Sequence, residues 1–435
     1  MLIRGAQLLD GAVVDVRTDH RIVEVAPRLT PGRGESLVDA AGCTVIPGLH
    51  DHHAHVHSAA AALVSVGVGP REVHDRNGLR AALASAGVGD DGWIRAVGYH
   101  EAVAGELDRA ALDEVSPPVP VRVQHRSGVL WTLNSVGLLR VGLPDHPDGR
   151  LRSADPSWSG GLRRRETGLV DVSRRLAAYG VTGITDATPD LGVADVVRFV
   201  DSHRHGELAQ HVHRLSPGKR ILHDDDLDLD ELASWIDACH DAGTVVALHC
   251  VTAAQLVVTI AALRMAGPRR GDRIEHAAVV PDDCLADLAE LGVLVVTQPN
   301  FVAERGDQYL TDVPRDEHDQ LWRVKSLVVA GIPVALSTDF PFGDDDPWAT
   351  MRAAVSRTTA SGAVLGAGER IDSRTALAMF LGGAEHPTRL RTVAPGEPAD
   401  LCVLRGTPAE VLDRLDADAV AMTVVDGRLV YDART

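Results

Sequence analysis

Two histidines one residue apart, His53 and His55 in the segment PGLHDHHAHVH, are the first residues along the chain whose type and spacing can do chemistry. On a β-strand, residues i and i+2 point to the same face, so both imidazoles can reach one metal ion. His50, His52 and His57 flank them and read as structural or supporting groups. Farther along, His249 closes the apolar run TVVALHC, His276 closes DRIEHAAV, and Asp339 ends PVALSTD. Each alone is ordinary: a lone core histidine, or an aspartate capping a turn. Together they are imidazole and carboxylate groups at the ends of successive strands. That set reads as a metal site in which Asp339 also accepts the proton of an attacking water.

Lysine usage adds one more candidate. Of 43 basic residues, only Lys219 and Lys325 are lysine. Arginine can carry a surface charge but cannot act as a neutral amine. A neutral lysine amine can take up carbon dioxide as a carbamate, whose two oxygens can bridge two metals, and burial or neighbouring cations favour that neutral form. The expected cofactor is therefore a divalent metal, zinc by ligand type, one or two per chain, with Lys219 in SPGKRIL as the candidate for a carbamate. Other strand ends and loops supply candidate substrate contacts: Tyr99, His100, His125, Arg126, Gln298 and Asn300. Arg126 could pair bidentately with a substrate carboxylate or belong to a structural salt bridge.

Such residues need elements to position them. The middle of the chain alternates short β-branched runs with Ala/Leu-rich amphipathic stretches. Candidate strands are TVIPGLHD, WIRAVGY, VPVRVQH, VTGITDAT, HVHRLSPGKRIL, TVVALHC, DRIEHAAV, VLVVTQP and PVALSTD. Alternation at this density predicts an α/β fold with a parallel sheet, closed into a TIM-type (β/α)8 barrel over residues 47–390, with functional side chains at the C-terminal strand ends. An open doubly wound sheet would usually carry GxGxxG after its first strand, and none is present there. Residues 1–46 and 391–435 instead show hairpin patterning, with an Asp-Gly turn signal at Asp426 and Gly427. Neither end can bury a core alone, so both are expected to pair into one small β-domain.

Bulk properties narrow the function. At 435 residues with 45% hydrophobic and 24% charged content, the chain can bury a large core. A net charge of −18 argues against a nucleic-acid partner. Aromatic residues at 3% argue against a large stacking pocket. Five dispersed cysteines without a CxxC pair, no signal-peptide pattern and no membrane-length apolar run predict reduced thiols and a cytoplasmic protein acting on a small-molecule substrate, with homo-oligomerisation left open.

The ordered set of motifs resembles the amidohydrolase superfamily, and within it the branch containing YtcJ-like proteins and N-substituted formamide deformylases. PGLHDHHAH, Lys219, His249, His276 and Asp339 stand in the expected order; QPNF, STDFPFGDDDPWATMRAAVSR and PGEPADLCVL are further echoes. The resemblance implies that His53 and His55 hold the more buried metal with Asp339 shared as base, and that His249 and His276 hold a second, bridged by carbamylated Lys219. It implies hydrolysis of a carbon–nitrogen, amide-type bond, and that residues 1–46 and 391–435 form a split β-sandwich domain. Where the branch places a histidine before an Asn-Ser pair, this chain has Val129 ahead of Asn134 and Ser135. Two other readings compete. A mononuclear deaminase of a heterocyclic base would resemble HxxE where this chain has His249-Cys250-Val251-Thr252, and a non-catalytic scaffold would have lost its ligands.

Overall fold

The computed structural model describes residues 1–153, 155–160, 162, 168–189 and 191–434. The chain divides into two compact units, Met1–Val56 with Leu169–Thr435, and His57–Gly168.

The first unit contains eight short parallel strands: β1 (Leu49–Ala54), β2 (Val181–Asp186), β3 (His211–Arg214), β4 (Lys219–Ile221), β5 (Ala247–Cys250), β6 (Arg273–His276), β7 (Leu294–Thr297) and β8 (Val334–Leu336). They form two sheets, one ordered β3-β2-β1 and one ordered β4-β5-β6-β7-β8. The edge strands β1 and β8 run on into segments that meet through the backbone. The Asp339 N–H donates to the His53 carbonyl at 3.0 Å, and the His55 N–H to the Phe340 carbonyl at 2.9 Å.

Helices separate most of these strands, and their ends follow local chemistry. Asp228 accepts the Glu231 N–H at the start of helix Leu229–Asp241, and Gly243, with φ +74°, ends the turn that leads into β5. Thr252 accepts the Gln255 N–H at the start of Ala253–Ala266. Gly292, left-handed at the C-cap of Cys284–Leu291, leads into β7. No helix lies between β3 and β4: residues 215–218 alone connect them, and the two strands belong to different sheets.

β1 departs from the apolar pattern of a buried parallel strand. All six residues are buried although His50, Asp51, His52 and His53 are polar. Burying polar groups is unfavourable unless they find partners. His50 Nε2 meets Thr185 Oγ1 at 2.9 Å. Asp51 accepts the Thr338 hydroxyl at 2.6 Å and the Thr338 N–H at 3.2 Å. The fit leaves no room on β2, where a Cβ at Gly183 would lie 2.3 Å from His50 Nδ1.

Both chain ends enter one eight-stranded sheet, ordered Arg428–Asp432, Val420–Val425, Leu401–Arg405, Cys43–Pro47, Leu2–Gln7, Val13–Thr18 and Ile22–Ala26, with Leu37–Asp39 also on Leu2–Gln7. The ends join where Leu401–Arg405 pairs antiparallel with Cys43–Pro47. Ile3, Val16, Val45, Leu401, Val403 and Met422 share one core cluster. TVIPGLHD, read as a single strand from sequence, therefore serves two sheets. It is divided at Gly48, whose N–H donates to the Asp400 carbonyl at 2.8 Å.

The second unit corrects a larger expectation. WIRAVGY and VPVRVQH, counted among the barrel strands, instead lie in a five-stranded sheet of Arg150–Arg152, Leu130–Leu133, Val121–His125, Ile94–Tyr99 and Val66–Gly67, in that order. The physical reason is that a parallel strand flanked by helices carries the same alternation in any sheet. Here Val121–His125 also pairs antiparallel with Leu130–Leu133, a hairpin that strand periodicity alone does not separate from a β/α repeat. Among the described residues, no helix is long and apolar enough to cross a membrane.

Gly183→Ala should lower stability by about 1–3 kcal/mol, the usual effect of overpacking a filled core. Thermal or denaturant unfolding checks this, and an unchanged midpoint would mean that the β1–β2 contact is slack.

Candidate metal centre

His53, His55 and Asp339 come together where β1 and β8 run out. Their ligand atoms all lie within 4.8 Å of one another. His53 Nε2 and His55 Nε2 are each 3.5 Å from Asp339 Oδ1. The other nitrogen of His53, Nδ1, donates to the Glu275 carboxylate. Glu275 is fully buried and is held in turn by Arg273, whose Nη2 also donates to the His52 carbonyl at 2.6 Å. Burial holds His53 neutral, pushing its pKa well below the usual histidine range, with the nearby Lys219 ammonium and other cationic neighbours adding to the effect.

One consequence fixes the chemistry of the site. With its proton on Nδ1, neutral His53 presents a lone pair at Nε2, and that lone pair faces a carboxylate oxygen. Neither His53 Nε2 nor Asp339 Oδ1 has a hydrogen-bond partner among the described residues, and both are buried. Two facing acceptors in a low-dielectric interior repel unless a cation lies between them. The donor set, two imidazoles and a carboxylate, suits zinc-type ions.

The remaining candidates cluster beside this trio. The His276 ring lies 4.6 Å from His53 and the His249 ring 4.4 Å from His276, centroid to centroid. Burial depresses the pKa of both, so both are neutral imidazoles. His276 Nδ1 faces Gln298 Oε1 at 2.9 Å, while Gln298 Nε2 donates to Ser337 Oγ at 2.8 Å. A carbonyl oxygen at Nδ1 places the proton there and leaves the Nε2 lone pair for a ligand.

Lys219 is 5% exposed and its Nζ has no partner among the described residues, whereas Lys325 is exposed. Burial lowers the Lys219 pKa from 10.5 to about 8, with Glu275 and Asp339 opposing the fall and Arg273 adding to it. The same ammonium acts on His53, His249 and His276, which places it within electrostatic reach of all three. All six sequence-chosen ligands thus fall in one region of the first unit.

Two of them sit on strained backbone. His276 has φ +71° and Asp339 φ +59°, in the left-handed region that non-glycine residues enter at a cost of about 1–2 kcal/mol. Asp339 is held there by its N–H to His53 and by the Phe342 and Gly343 N–H groups, which donate to its carbonyl at 2.8 and 3.0 Å.

The candidate substrate contacts divide between the units. Gln298 is fully buried with its amide engaged on His276 and Ser337. Asn300 is buried, its Nδ2 donating to Glu304 and to the Thr338 carbonyl, while its Oδ1 has no partner among the described residues. Tyr99, His100, His125 and Arg126 lie in the second unit, at the ends of two adjacent parallel strands in which Tyr99 pairs with His125. The Tyr99 hydroxyl donates to the Gly105 carbonyl at 2.6 Å, and burial pushes its pKa up to about 12. His100 and His125 both face the Glu101 carboxylate, at 3.4 and 3.2 Å. Their Nδ1 atoms accept the Ala102 and Ser127 N–H groups, which leaves the proton on Nε2, and His125 Nε2 donates to Glu101. Asn134 is the cap of helix Ser135–Arg140 and is fully hydrogen-bonded within that unit.

Sequence reasoning passed over Glu275 and Arg273, and with them Asp51 and Thr338. A signal was present: Arg273 and Glu275 are charged residues two apart inside a strand that is otherwise buried.

The family model described as "Amidohydrolase family" matches residues 36–431, most of the chain. The chain belongs to the amidohydrolase family. It is 24% identical to the N-substituted formamide deformylase of Arthrobacter pascens over 91% of this chain and 90% of that protein. It is also 25% identical to the putative amidohydrolase YtcJ of Bacillus subtilis, over 48% of this chain and 41% of that protein. Among solved structures, an uncharacterized metal-dependent hydrolase from Pyrococcus furiosus superposes with a TM-score of 0.70 at 19% identity, covering 94% of this chain and 99% of that one. Atrazine chlorohydrolase TrzN from Arthrobacter aurescens, solved in complex with zinc, superposes at 0.57 and 13% identity over 99% of this chain and 95% of that one. These likenesses establish a shared fold.

Lys219 gives a test in metal-free protein. The unfolded chain keeps the lysine proton up to about pH 10.5 and the folded chain releases it near pH 8. Between these values the unfolded state binds more protons, so stability rises with pH. Lys219→Met should remove that rise and match or exceed the wild type at pH 7, by on the order of 2 kcal/mol. Unfolding curves of both proteins across pH 7–10.5 check this; parallel pH profiles would contradict a buried, unpaired amine.

Proposed function

We propose that this protein is a metal-dependent hydrolase that cleaves a carbon–nitrogen, amide-type bond of a small molecule. The observation that carries the reading is the pair of buried, facing acceptors, His53 Nε2 and Asp339 Oδ1, with His55 Nε2 aimed at the same oxygen. His53, His55 and Asp339 would hold one divalent cation, zinc by donor type. His249 and His276 would hold a second, with Lys219 as a carbamate between them. Membership of the amidohydrolase family and the deformylase named among its relatives support an amide-type substrate.

A cation bound there supplies Lewis acidity, lowering the pKa of water and polarising a carbonyl oxygen. The chain's own residues do the rest. Asp339, on a backbone fixed by three hydrogen bonds, receives the proton from the attacking water on the carboxylate oxygen not turned to the cation and passes it to the departing nitrogen. Glu275 keeps the His53 proton on Nδ1, and Gln298 does the same for His276, so that neither imidazole can turn its protonated edge inward. The deaminase alternative gains no support at position 252, since Thr252 caps a helix and donates to Asp224 at 2.8 Å.

The same reading takes the eight parallel strands as one closed barrel and the terminal sheet as a sandwich domain. The backbone bonds between the ends of β1 and β8, and the direct passage of the chain from β3 to β4, support that closure. The catalytic centre would then occupy the C-terminal face.

Asp339→Asn should lower kcat by about 10²–10⁴-fold, the usual contribution of a positioned acid–base group, with the fold retained. Turnover of N-formyl and N-acyl amides, read beside circular dichroism, checks this. Activity within tenfold of wild type would remove Asp339 from the proton path. Glu275→Gln should weaken metal affinity by about 10–100-fold, as loss of a carboxylate behind a histidine ligand does elsewhere. Titration with a competing chelator measures it, and an unchanged affinity would make Glu275 a packing residue only.

A further inference from the structure

A second constellation of metal-ligand type lies elsewhere in the first unit. His203 stands in the last turn of helix Val193–Arg204, His211 opens β3, and Asp426 sits in the turn joining Val420–Val425 to Arg428–Asp432. Residues more than 200 positions apart thus offer two imidazole nitrogens and a carboxylate oxygen, all within 4.8 Å of one another. His203 Nε2 is 3.9 Å from Asp426 Oδ2, and His211 Nε2 is 3.6 Å from Asp426 Oδ1. The two rings lie 5.5 Å apart.

Three features make this more than a surface salt bridge. First, His203 Nδ1 donates to the Leu208 carbonyl at 3.1 Å, which puts the ring proton on Nδ1 and turns the Nε2 lone pair towards Asp426. A backbone carbonyl behind the ring is the arrangement that orients histidine ligands in metal sites. A lone pair facing a carboxylate is a geometry that a cation between them completes. Second, Asp400 backs the cluster. Its Oδ1 accepts the Asp426 N–H at 2.9 Å and a carboxylate oxygen lies 3.4 Å from His211 Nε2, fixing both neighbours. Third, the charge balance favours a dication. Two carboxylates converge on the cluster, with His211 Nε2 3.4 Å from an Asp400 oxygen and 3.6 Å from Asp426 Oδ1.

We propose that His203, His211 and Asp426 form a peripheral binding site for a divalent transition metal of the zinc type, with Asp400 positioning His211 and the turn. Zinc–nitrogen and zinc–oxygen bonds of about 2.0–2.2 Å place tetrahedral ligand atoms roughly 3.3 Å apart, so the 3.6 and 3.9 Å separations close with small side-chain movements. Binding takes from His211 the Nε2 proton it shares with Asp400, which moves to Nδ1 or leaves to solvent. A bound ion would join the C-terminal hairpin to the end of helix Val193–Arg204 and the start of β3. The site is half-exposed, which gives free ions access and makes it a structural centre separate from the catalytic one.

Equilibrium dialysis against zinc, followed by elemental analysis, tests the proposal on the wild-type chain and on His203→Gln/Asp426→Asn, each first freed of loosely held metal. The wild type is expected to hold one more equivalent of zinc per chain than the variant. Added zinc should also raise its unfolding temperature further than the variant's. Metal in the catalytic centre is common to both proteins and cancels, so this result is separable from the fate of the proposed function. Equal zinc content in the two proteins overturns the proposal. Should the double variant fail to fold, His203→Gln alone, at an exposed helix end, gives the same comparison with the same two outcomes.

Discussion

A buried imidazole lone pair pointing at a buried carboxylate is the interaction on which the rest of this structure depends. Left alone, His53 Nε2 and Asp339 Oδ1 would repel across 3.5 Å in a dry interior. The chain nevertheless commits several elements to holding them there. Glu275 and Arg273 fix the proton of His53 on its far nitrogen. Asp51 and Thr338 tie the strand that carries His53 to the segment that carries Asp339. The left-handed backbone at Asp339 and His276 adds strain that packing must offset. A fold gains nothing in stability from such an arrangement, so its explanation lies in what the site binds.

The surrounding electrostatics point the same way. Burial keeps His53, His249 and His276 neutral, the state in which imidazole is a ligand, and it pushes the Lys219 amine towards the neutral state in which it can react with carbon dioxide. Asp51, raised to about 7 by the same desolvation, can share a proton near neutrality while still accepting from Thr338. One physical cause, exclusion of water, thus acts on the three buried imidazoles and on the lysine alike.

Much of this was legible in the sequence because the candidate ligands interrupt otherwise apolar strands. His249, His276 and Asp339 close hydrophobic runs, and the spacing of His53 and His55 sets both on one face. Lys219 stood out through the scarcity of lysine, and its burial against the exposure of Lys325 separates the two. What escaped notice depends on long-range pairing. Glu275 shows as an orienting residue only once its side chain, on β6, meets His53 on β1, a strand of the other sheet. Gln298 likewise shows as the partner of His276 only once β7 lies beside β6. The assignment of Ile94–Tyr99 and Val121–His125 to a separate unit was hidden for the same reason, since strand periodicity does not record which sheet a strand joins. The division of TVIPGLHD at Gly48 is a local event, but its cause is a distant backbone bond from Gly48 to Asp400.

The central claim is that the facing acceptors exist to hold a metal ion, and elemental analysis of wild type beside His53→Asn, both purified without chelators, tests it most directly. The account predicts metal in the wild type and loss of at least one equivalent per chain in the variant, with the fold intact by circular dichroism. Equal metal content in the two proteins, or a wild type that takes up none when zinc and bicarbonate are supplied, would contradict it.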